Sequence, residues 1–335
     1  MSRRISIGLL VGLSAVGLLG VVSLRAQYTR PTAAHPKPAN VQLVSLAENP
    51  YWPPWCMPPQ NGKNFTIDMI DNLPDLHGDI VNPQLVIYFA GNQFMVVPDL
   101  LKAFCAEHPE IKRIFAETLP PGIEADQIEK GALIIGNCRI AMGCPDVYTG
   151  GKGRIEELQK SKKWFSRIEH YARNRLAIMV PKGNPADIHS LKDLGSKTLL
   201  VSMPNPKWEG IGKRILEAYK KAGGNALVRT IMTDKVQEGT TFLTHIHHRQ
   251  TPLRILLGMS QAGPVWYTEA KFQQTLGHPI QLVTIPDSEN VTAVYTAAMF
   301  RKAPHRTAAK KFMDFLVSEK GQAVYKKYGF EPPPK

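Results

Sequence analysis

The sequence predicts an α/β fold with largely parallel sheets, and three observations carry that reading. In the stretch LVIYFAGNQFMVVPDLLKAF, Leu85 to Ala90 is wholly apolar and reads as a strand buried on both faces. Gly91-Asn92-Gln93 breaks the run, and from Met95 the apolar residues Val97, Leu100, Leu101 and Phe104 follow helical spacing. Strand, polar turn and helix form half of a βαβ unit, and the same alternation recurs to the end of the chain. With 335 residues the chain is long enough for two domains, each with its own core.

Taken in order, the chain opens on an export signal. Arg3 and Arg4 precede an apolar run from Ile5 to Leu24, and Leu24-Arg25-Ala26 places a small residue at a cleavage point. That is the order of a secretory signal over residues 1–26. The run is also near the length of a membrane span, so an uncleaved anchor stays open. No second span follows, which puts the body in the periplasm or otherwise outside the cytoplasm. Residues 27–84 form a Pro- and Asn-rich arm with Tyr51-Trp52-Pro53-Pro54-Trp55. Prolines at this density forbid helix. The arm either packs its aromatics on the folded body or docks a partner.

The body then alternates. Strands are expected near Arg113 to Glu117, Ile140 to Gly143, Arg175 to Val180, Thr198 to Ser202, Pro264 to Tyr267, Gln281 to Ile285 and Ala293 to Phe300. Helices are expected over Ile123 to Lys130, Arg154 to Lys162, Ile211 to Lys221, Phe242 to His248 and Arg306 to Lys320. A short one starts at Ser190 with Asp193, and a last helical turn runs to Tyr328. Pro204-Asn205-Pro206-Lys207-Trp208-Glu209-Gly210 is a second polar turn leading into a helix. Both polar turns sit where free N–H groups and the positive end of a helix dipole favour anions or ligand oxygens.

Reactive chemistry is not legible. No nucleophile elbow, phosphate loop, dinucleotide fingerprint or paired metal carboxylates stand in the sequence. Gly150-Gly151-Lys152-Gly153 lacks the phosphate-loop spacing and reads as a flexible turn. His245 and His248 share a helical face, but no acidic residue at fixed spacing accompanies them, so they read as solvated. No catalytic residue, metal ligand or cofactor is expected, and the chain reads as a binding protein and not an enzyme. The net charge of +13 is spread over scattered pairs such as Lys162-Lys163 and Lys310-Lys311, without interleaved aromatics, which argues against nucleic acid. Export makes at least one disulfide expected among Cys56, Cys105, Cys138 and Cys144, with three pairings open. Cys138 and Cys144 are close enough to bridge a small loop, leaving Cys56 to pin the arm to Cys105.

The second half carries a resemblance. Gly263-Pro264-Val265-Trp266-Tyr267-Thr268-Glu269-Ala270, then Ile285-Pro286-Asp287-Ser288, then Tyr295-Thr296-Ala297-Ala298 occur in order, followed by AAKKFMDFLVSEKGQAVYKKYGF over Ala308 to Phe330. This resembles the periplasmic molybdate-binding proteins of ABC transporters, type II solute-binding proteins, over about Leu85 to Phe330. The resemblance implies two α/β lobes joined by two crossing strands, one lobe from 85–176 plus 292–330 and the other from 177–291, with ligand in the cleft. It places ligand-binding residues at Asn92 and Gln93 in the first turn, at Gly122 beside Pro121, and at Trp208, Glu209, Gly210, Val236 and Trp266 in the second lobe. Two positions depart from the family pattern. Pro121 has no N–H, and Glu209 brings a carboxylate that would repel an anion in a dry cleft. Glu209 could pair with a cationic ligand or metal, cap the helix amides or point into solvent, and of these the cap is favoured, since a carboxylate is stabilised at the start of a helix.

The resemblance therefore implies a receptor that closes on a small polar ligand, an oxyanion such as molybdate or another polar solute. It would deliver that ligand to the membrane subunits of an ABC transporter. The other reading is a binding-protein fold used as an assembly or sensory partner of an exported enzyme or receptor, through the 27–84 arm.

Overall fold

The computed structural model describes residues 76–135, 138–141, 143–207, 209–244 and 248–334, with the backbone alone over 133–141. The export signal, most of the arm, Trp208, His245 and His247 lie outside the described residues.

The first sheet is six-stranded, in the order β1-β3-β2-β6-β13-β7. Its strands are β1 (Leu76–Gly78), β2 (Leu85–Ala90), β3 (Ile114–Leu119), β6 (Val147–Gly151), β7 (Phe165–Asn174) and β13 (Ala293–Phe300). β2 is inside because every one of its residues is buried, as its unbroken apolar run requires. Alternation divides it between two cores. Leu85, Ile87 and Phe89 join the core beneath α1 (Val97–Glu107), α7 (Arg306–Val317) and α8 (Glu319–Lys327), while Val86 and Tyr88 face Ile155 and Phe165 on the other side. Two further helices of this lobe are α2 (Pro121–Lys130) and α3 (Lys152–Lys162). A small hairpin, β4 (Ala132–Ile135) with β5 (Cys138–Ala141), follows α2.

The second lobe is built on β8 (Leu176–Pro181), flanked by β11 (Gly263–Trp266) and β12 (Ile280–Thr284). A parallel pair, β9 (Val201–Met203) with β10 (Thr241–Leu243), joins it through a bridge from Val201 to Ala262. Around these strands lie α4 (Gly210–Arg229), α5 (Gln250–Leu256) and α6 (Tyr267–Thr275). The core gathers Ile178, Val180, Val201, Met203, Ile211, Ile215 and Tyr219. Among the described residues no helix is long and apolar enough to cross a membrane.

The two-lobed α/β fold is present, and its sheets are mixed rather than mostly parallel. β2 runs parallel to β3 and β6, whereas β13 is antiparallel to β6 and β7, and β8 is antiparallel to both neighbours. The chain passes between lobes at Arg175 and again over 285–292. Asn290 fastens the two passages: its amide donates to the carbonyl of Leu176 (2.9 Å), and its side-chain oxygen accepts from the Leu176 N–H (3.0 Å).

Several expectations are corrected. Gly150-Gly151 ends β6 and pairs with Thr296 and Tyr295, so it is strand and not a flexible turn. The ladder to β13 outweighs the weak strand preference of glycine. Thr241–Leu243 is strand and not the start of a helix, because it completes a parallel ladder with β9. β7, whose alternating FSRIEHYARN pattern marks a half-buried strand, was not among the expected elements. Within the arm, Leu76–Gly78 adds an edge strand to β3. Cys105 and Cys144 carry free thiols, and their expected partners, Cys56 and the side chain of Cys138, lie outside the described residues. Cys105 packs on the core under α1 and Cys144 on the opposite face of the same sheet, which excludes a bridge between these two.

Candidate functional site

Strand direction decides where the site lies. β2 and β3 end at Ala90 and Leu119, and both continue into the amino ends of helical segments. In the second lobe β9, β10 and β11 end side by side at Met203, Leu243 and Trp266. In open α/β sheets ligands bind beyond the carboxyl ends of parallel strands. Here those two edges meet. Arg249, in the turn ahead of α5, is buried, and its guanidinium lies over the Phe94 ring (4.7 Å to the centroid) and donates to the carbonyl of Thr118 (3.4 Å). Trp266 meets Tyr295 edge to face, 6.1 Å between centroids.

The first-lobe side is a short 3-10 turn, Gly91–Gln93, wholly buried. Asn92 donates its side-chain amide to the Tyr295 hydroxyl. Gln93 donates to Thr149 Oγ1 (3.1 Å) and accepts from the Tyr325 hydroxyl (2.7 Å). Thr149 in turn accepts the Ala90 N–H at 2.9 Å. The turn is thus held from β6, β13 and α8 at once. Gly122 sits exposed in the first turn of α2, where a Cβ would meet nothing within 4 Å.

The second-lobe side centres on Glu209, which is 3% exposed. It occupies the N-cap position of α4 with extended backbone, yet its carboxylate makes no bond to the helix amides. Instead Glu209 Oε1 accepts from the Asn205 N–H (3.2 Å) and from the Thr244 hydroxyl. Glu209 Oε2 lies 3.5 Å from Nδ1 of His248. The other imidazole nitrogen, Nε2, lies 2.9 Å from Oε1 of Glu269 in the first turn of α6. Burial alone would drive the His248 pKa down. The charge of Glu269 and the contacts with both carboxylates outweigh it and hold the imidazole up at about 9. Among the described residues no group of three or more His, Cys, Asp and Glu is placed to hold a metal ion.

The structure brings Asn92, Gln93, Glu209 and Trp266 toward the seam and leaves Gly122 and Gly210 as exposed first-turn glycines on its rim. Trp208 lies outside the described residues. Val236 does not join them. Its single turn, Lys235–Gln237, is anchored by Lys235 Nζ on the carbonyls of Ser196 and Leu199, ahead of β9. Thr240 then leads into β10, so Val236 sits at the amino ends of these strands, opposite the seam. The expectation that Glu209 caps helix amides is also corrected, because His248, Thr244 and Asn205 offer its carboxylate closer partners. His248 is buried and not solvated. Thr244 and Arg249 carry no local sequence signal of a site, and Glu269 stands out only within the family-like run Gly263 to Ala270.

Three comparisons bear on this chain. The sequence profile of the family described as bacterial extracellular solute-binding protein matches residues 85–331. A Bacillus subtilis protein described as an ABC transporter substrate-binding lipoprotein is 24% identical over 158 residues. That match takes in 47% of this chain and 55% of the relative, so the chain spans about half the length of the relative. The periplasmic molybdate-binding protein of Azotobacter vinelandii superposes with a TM-score of 0.60 at 16% identity, over 75% of this chain and all of that one. The sulfate-binding protein SubI of Mycobacterium tuberculosis superposes with a TM-score of 0.58 at 20% identity, over 74% of this chain and 85% of that one. At such identities the solved structures carry the fold.

Proposed function

We propose that this chain, which belongs to the bacterial extracellular solute-binding protein family, is a receptor that closes on a small oxyanion outside the cytoplasm. It delivers that solute to the membrane subunits of an ABC transporter. Residues 1–26 export it or anchor it, and the lobes are 85–176 plus 292–330 and 177–291. The ligand lies between them, against Asn92, Gln93, Gly122, Glu209, Gly210 and Trp266.

The observation that carries this reading is Arg249. A guanidinium is charged at any physiological pH, and this one is buried at the seam of the lobes, where it touches the first lobe through Phe94 and Thr118. Phe94 follows the Gly91–Gln93 turn, Thr118 precedes α2, and the adjacent His248 reaches Glu209 at the start of α4; backbone N–H groups at such helix starts favour anions. Closing the lobes brings these donors onto one ligand from two sides.

Titration of the full chain with molybdate, sulfate and phosphate tests the proposal, read by calorimetry and by melting temperature. A saturating ligand at 100 times its Kd adds about 2.7 kcal/mol to stability, a shift of several degrees. No response to any oxyanion removes the anion reading. No response to a wider panel of small polar solutes, with a stable complex to another exported protein, replaces the receptor by a partner acting through the 27–84 arm.

A further inference from the structure

The first sheet has two ends. Ala90 and Leu119 lead to the seam, and at the opposite end β2, β3, β6 and β7 begin while β1 and β13 finish. The turns covering that opposite end are held by bonds of their own. Asp79 accepts the N–H groups of Val81 and Asn82, both at 2.9 Å, and Gln84 accepts those of Lys112 (2.9 Å) and Arg113 (3.1 Å). Arg301 donates its backbone N–H to the Trp164 carbonyl (2.8 Å) and its Nε to the Lys163 carbonyl (3.0 Å). Buried Asp146 accepts the N–H groups of Val86 (2.8 Å) and His305 (2.6 Å) and meets the His305 imidazole at 2.8 Å. The far end of the first lobe is thus a fixed face.

Its charge is one-sided. Lys112, Lys163, Arg301, Lys302 and Arg306 stand exposed on it, and none of them makes an ion pair among the described residues. The carboxylates of the same end are already matched within the chain, Asp79 by Arg113, Glu110 by Lys311, Glu129 by Lys162 and Asp146 by His305. Five like charges gathered on one face repel one another, and a surface of opposite sign relieves that repulsion. The partner is selected by what else the face offers. Val81, 90% exposed, is the large aliphatic side chain left open on these turns, and Trp164 beside them is half-buried. A protein partner needs an apolar centre to its contact, whereas a layer of lipid headgroups needs only spread positive charge with a small apolar tip.

We propose that this face docks on an anionic phospholipid surface, its five cations against lipid phosphates and Val81 at the headgroup boundary. The sequence supports a membrane as the occupant, since Arg3 and Arg4 ahead of the apolar run Ile5 to Leu24 direct the chain to one. Whether that run is kept or removed, a weak hold on the bilayer gains from a second, electrostatic contact. The face lies at the far end of the strands whose other end leads to the seam, so docking leaves the cleft open to solute. The contact is independent of which ligand the cleft takes.

Co-sedimentation of the exported protein with vesicles tests this, using phosphatidylcholine alone and phosphatidylcholine mixed with phosphatidylglycerol. Comparing the two lipids removes any insertion by the apolar run, which both would accept. The expected result at about 0.1 M salt is binding about ten-fold or more tighter to the anionic vesicles. That preference should vanish at about 1 M salt, where the Debye length falls from about 10 Å to about 3 Å. Lys163→Gln combined with Lys302→Gln is expected to lower the preference by about ten-fold or more. Lys213→Gln combined with Lys220→Gln, at exposed positions on α4 of the second lobe, changes the net charge equally and should leave the preference unchanged. Equal binding of the parent to both vesicles overturns the proposal. An equal loss in the two double variants also overturns it, because net charge and not this face would then be responsible.

Discussion

Nε2 of His248 lies 2.9 Å from Oε1 of Glu269, and this one contact joins the turn ahead of α5 to the first turn of α6. It is the reason a histidine in a polar stretch of sequence is buried and charged in the fold. The same imidazole reaches Glu209 at the start of α4, so three segments distant in sequence depend on one side chain.

Stability should therefore fall at alkaline pH. Burial lowers the His248 pKa and its two carboxylates raise it further, to about 9 in the folded protein against 6.5 unfolded. A raised pKa means that the stabilisation is fully present below about pH 6.5 and is lost as pH rises through about 9. The expected loss is on the order of 2–3 kcal/mol across that window. Melting temperatures of the parent and of His248→Gln between pH 6 and 10 check this. The parent's extra decline should vanish in the variant, and parallel curves would contradict it.

Asn290 should govern the hinge. It bonds both backbone groups of Leu176 and also donates to the carbonyl of Ile285 at 3.4 Å, so it ties the two inter-lobe passages together. Asn290→Ala leaves the buried Leu176 N–H and carbonyl without those partners and should cost about 1–3 kcal/mol. Denaturant titration measures the cost. Scattering should also show a wider spread of lobe separations, and a variant as stable and as compact as the parent would rule the clasp out.

Removing Arg249 should loosen the closed arrangement without unfolding either core. Its guanidinium sits over Phe94 and bonds Thr118, both in the first lobe, while its backbone belongs to the second. A cation over an aromatic ring in a dry setting contributes about 2 kcal/mol. Arg249→Ala is expected to raise the radius of gyration of the ligand-free protein and to abolish anion binding. Full retention of anion affinity in this variant would remove Arg249 from the site.

Gly212 marks a close approach that the site depends on. A Cβ there would stand 2.6 Å from the Pro206 nitrogen and 2.7 Å from the Pro204 carbonyl oxygen. Those atoms are backbone, so Gly212→Ala has to displace the turn that holds Asn205 and Glu209, at about 1–3 kcal/mol for overpacking. Ligand affinity should fall with it. Calorimetry showing an unchanged Kd would mean that the turn does not shape the cleft.

Thiol chemistry gives a direct check on the cysteines. Cys105 and Cys144 are free, and burial together with the nearby Asp146 raises the Cys144 pKa to about 11. Both should label in unfolded, unreduced protein and react slowly in the folded one, because the thiolate is the reactive form. Protection of either in the unfolded state would show a bridge to Cys56 or Cys138.

Local signals in the sequence determined the α/β class, the apolar β2, the polar turns at Gly91–Gln93 and Pro204–Gly210, and the tail helices. In each case a run, a period or a breaker is contained within a few neighbouring residues. The same turns pointed to Asn92, Gln93 and Glu209, since a strand end followed by a helix start has a fixed polarity. Only the tertiary structure decided what Glu209 does. Its distant partners Thr244 and His248 come from the residue after β10 and from the turn ahead of α5, and His248 in turn reaches Glu269 in α6; no periodicity links positions so far apart. Strand direction was hidden for the same reason. Whether β13 lies parallel or antiparallel to β6 is set by how the chain returns from the second lobe, and ladder pairing carries no mark in either strand alone. The burial of His248 was the largest reversal, because a histidine's charge is decided by what folds against it and not by its neighbours in sequence.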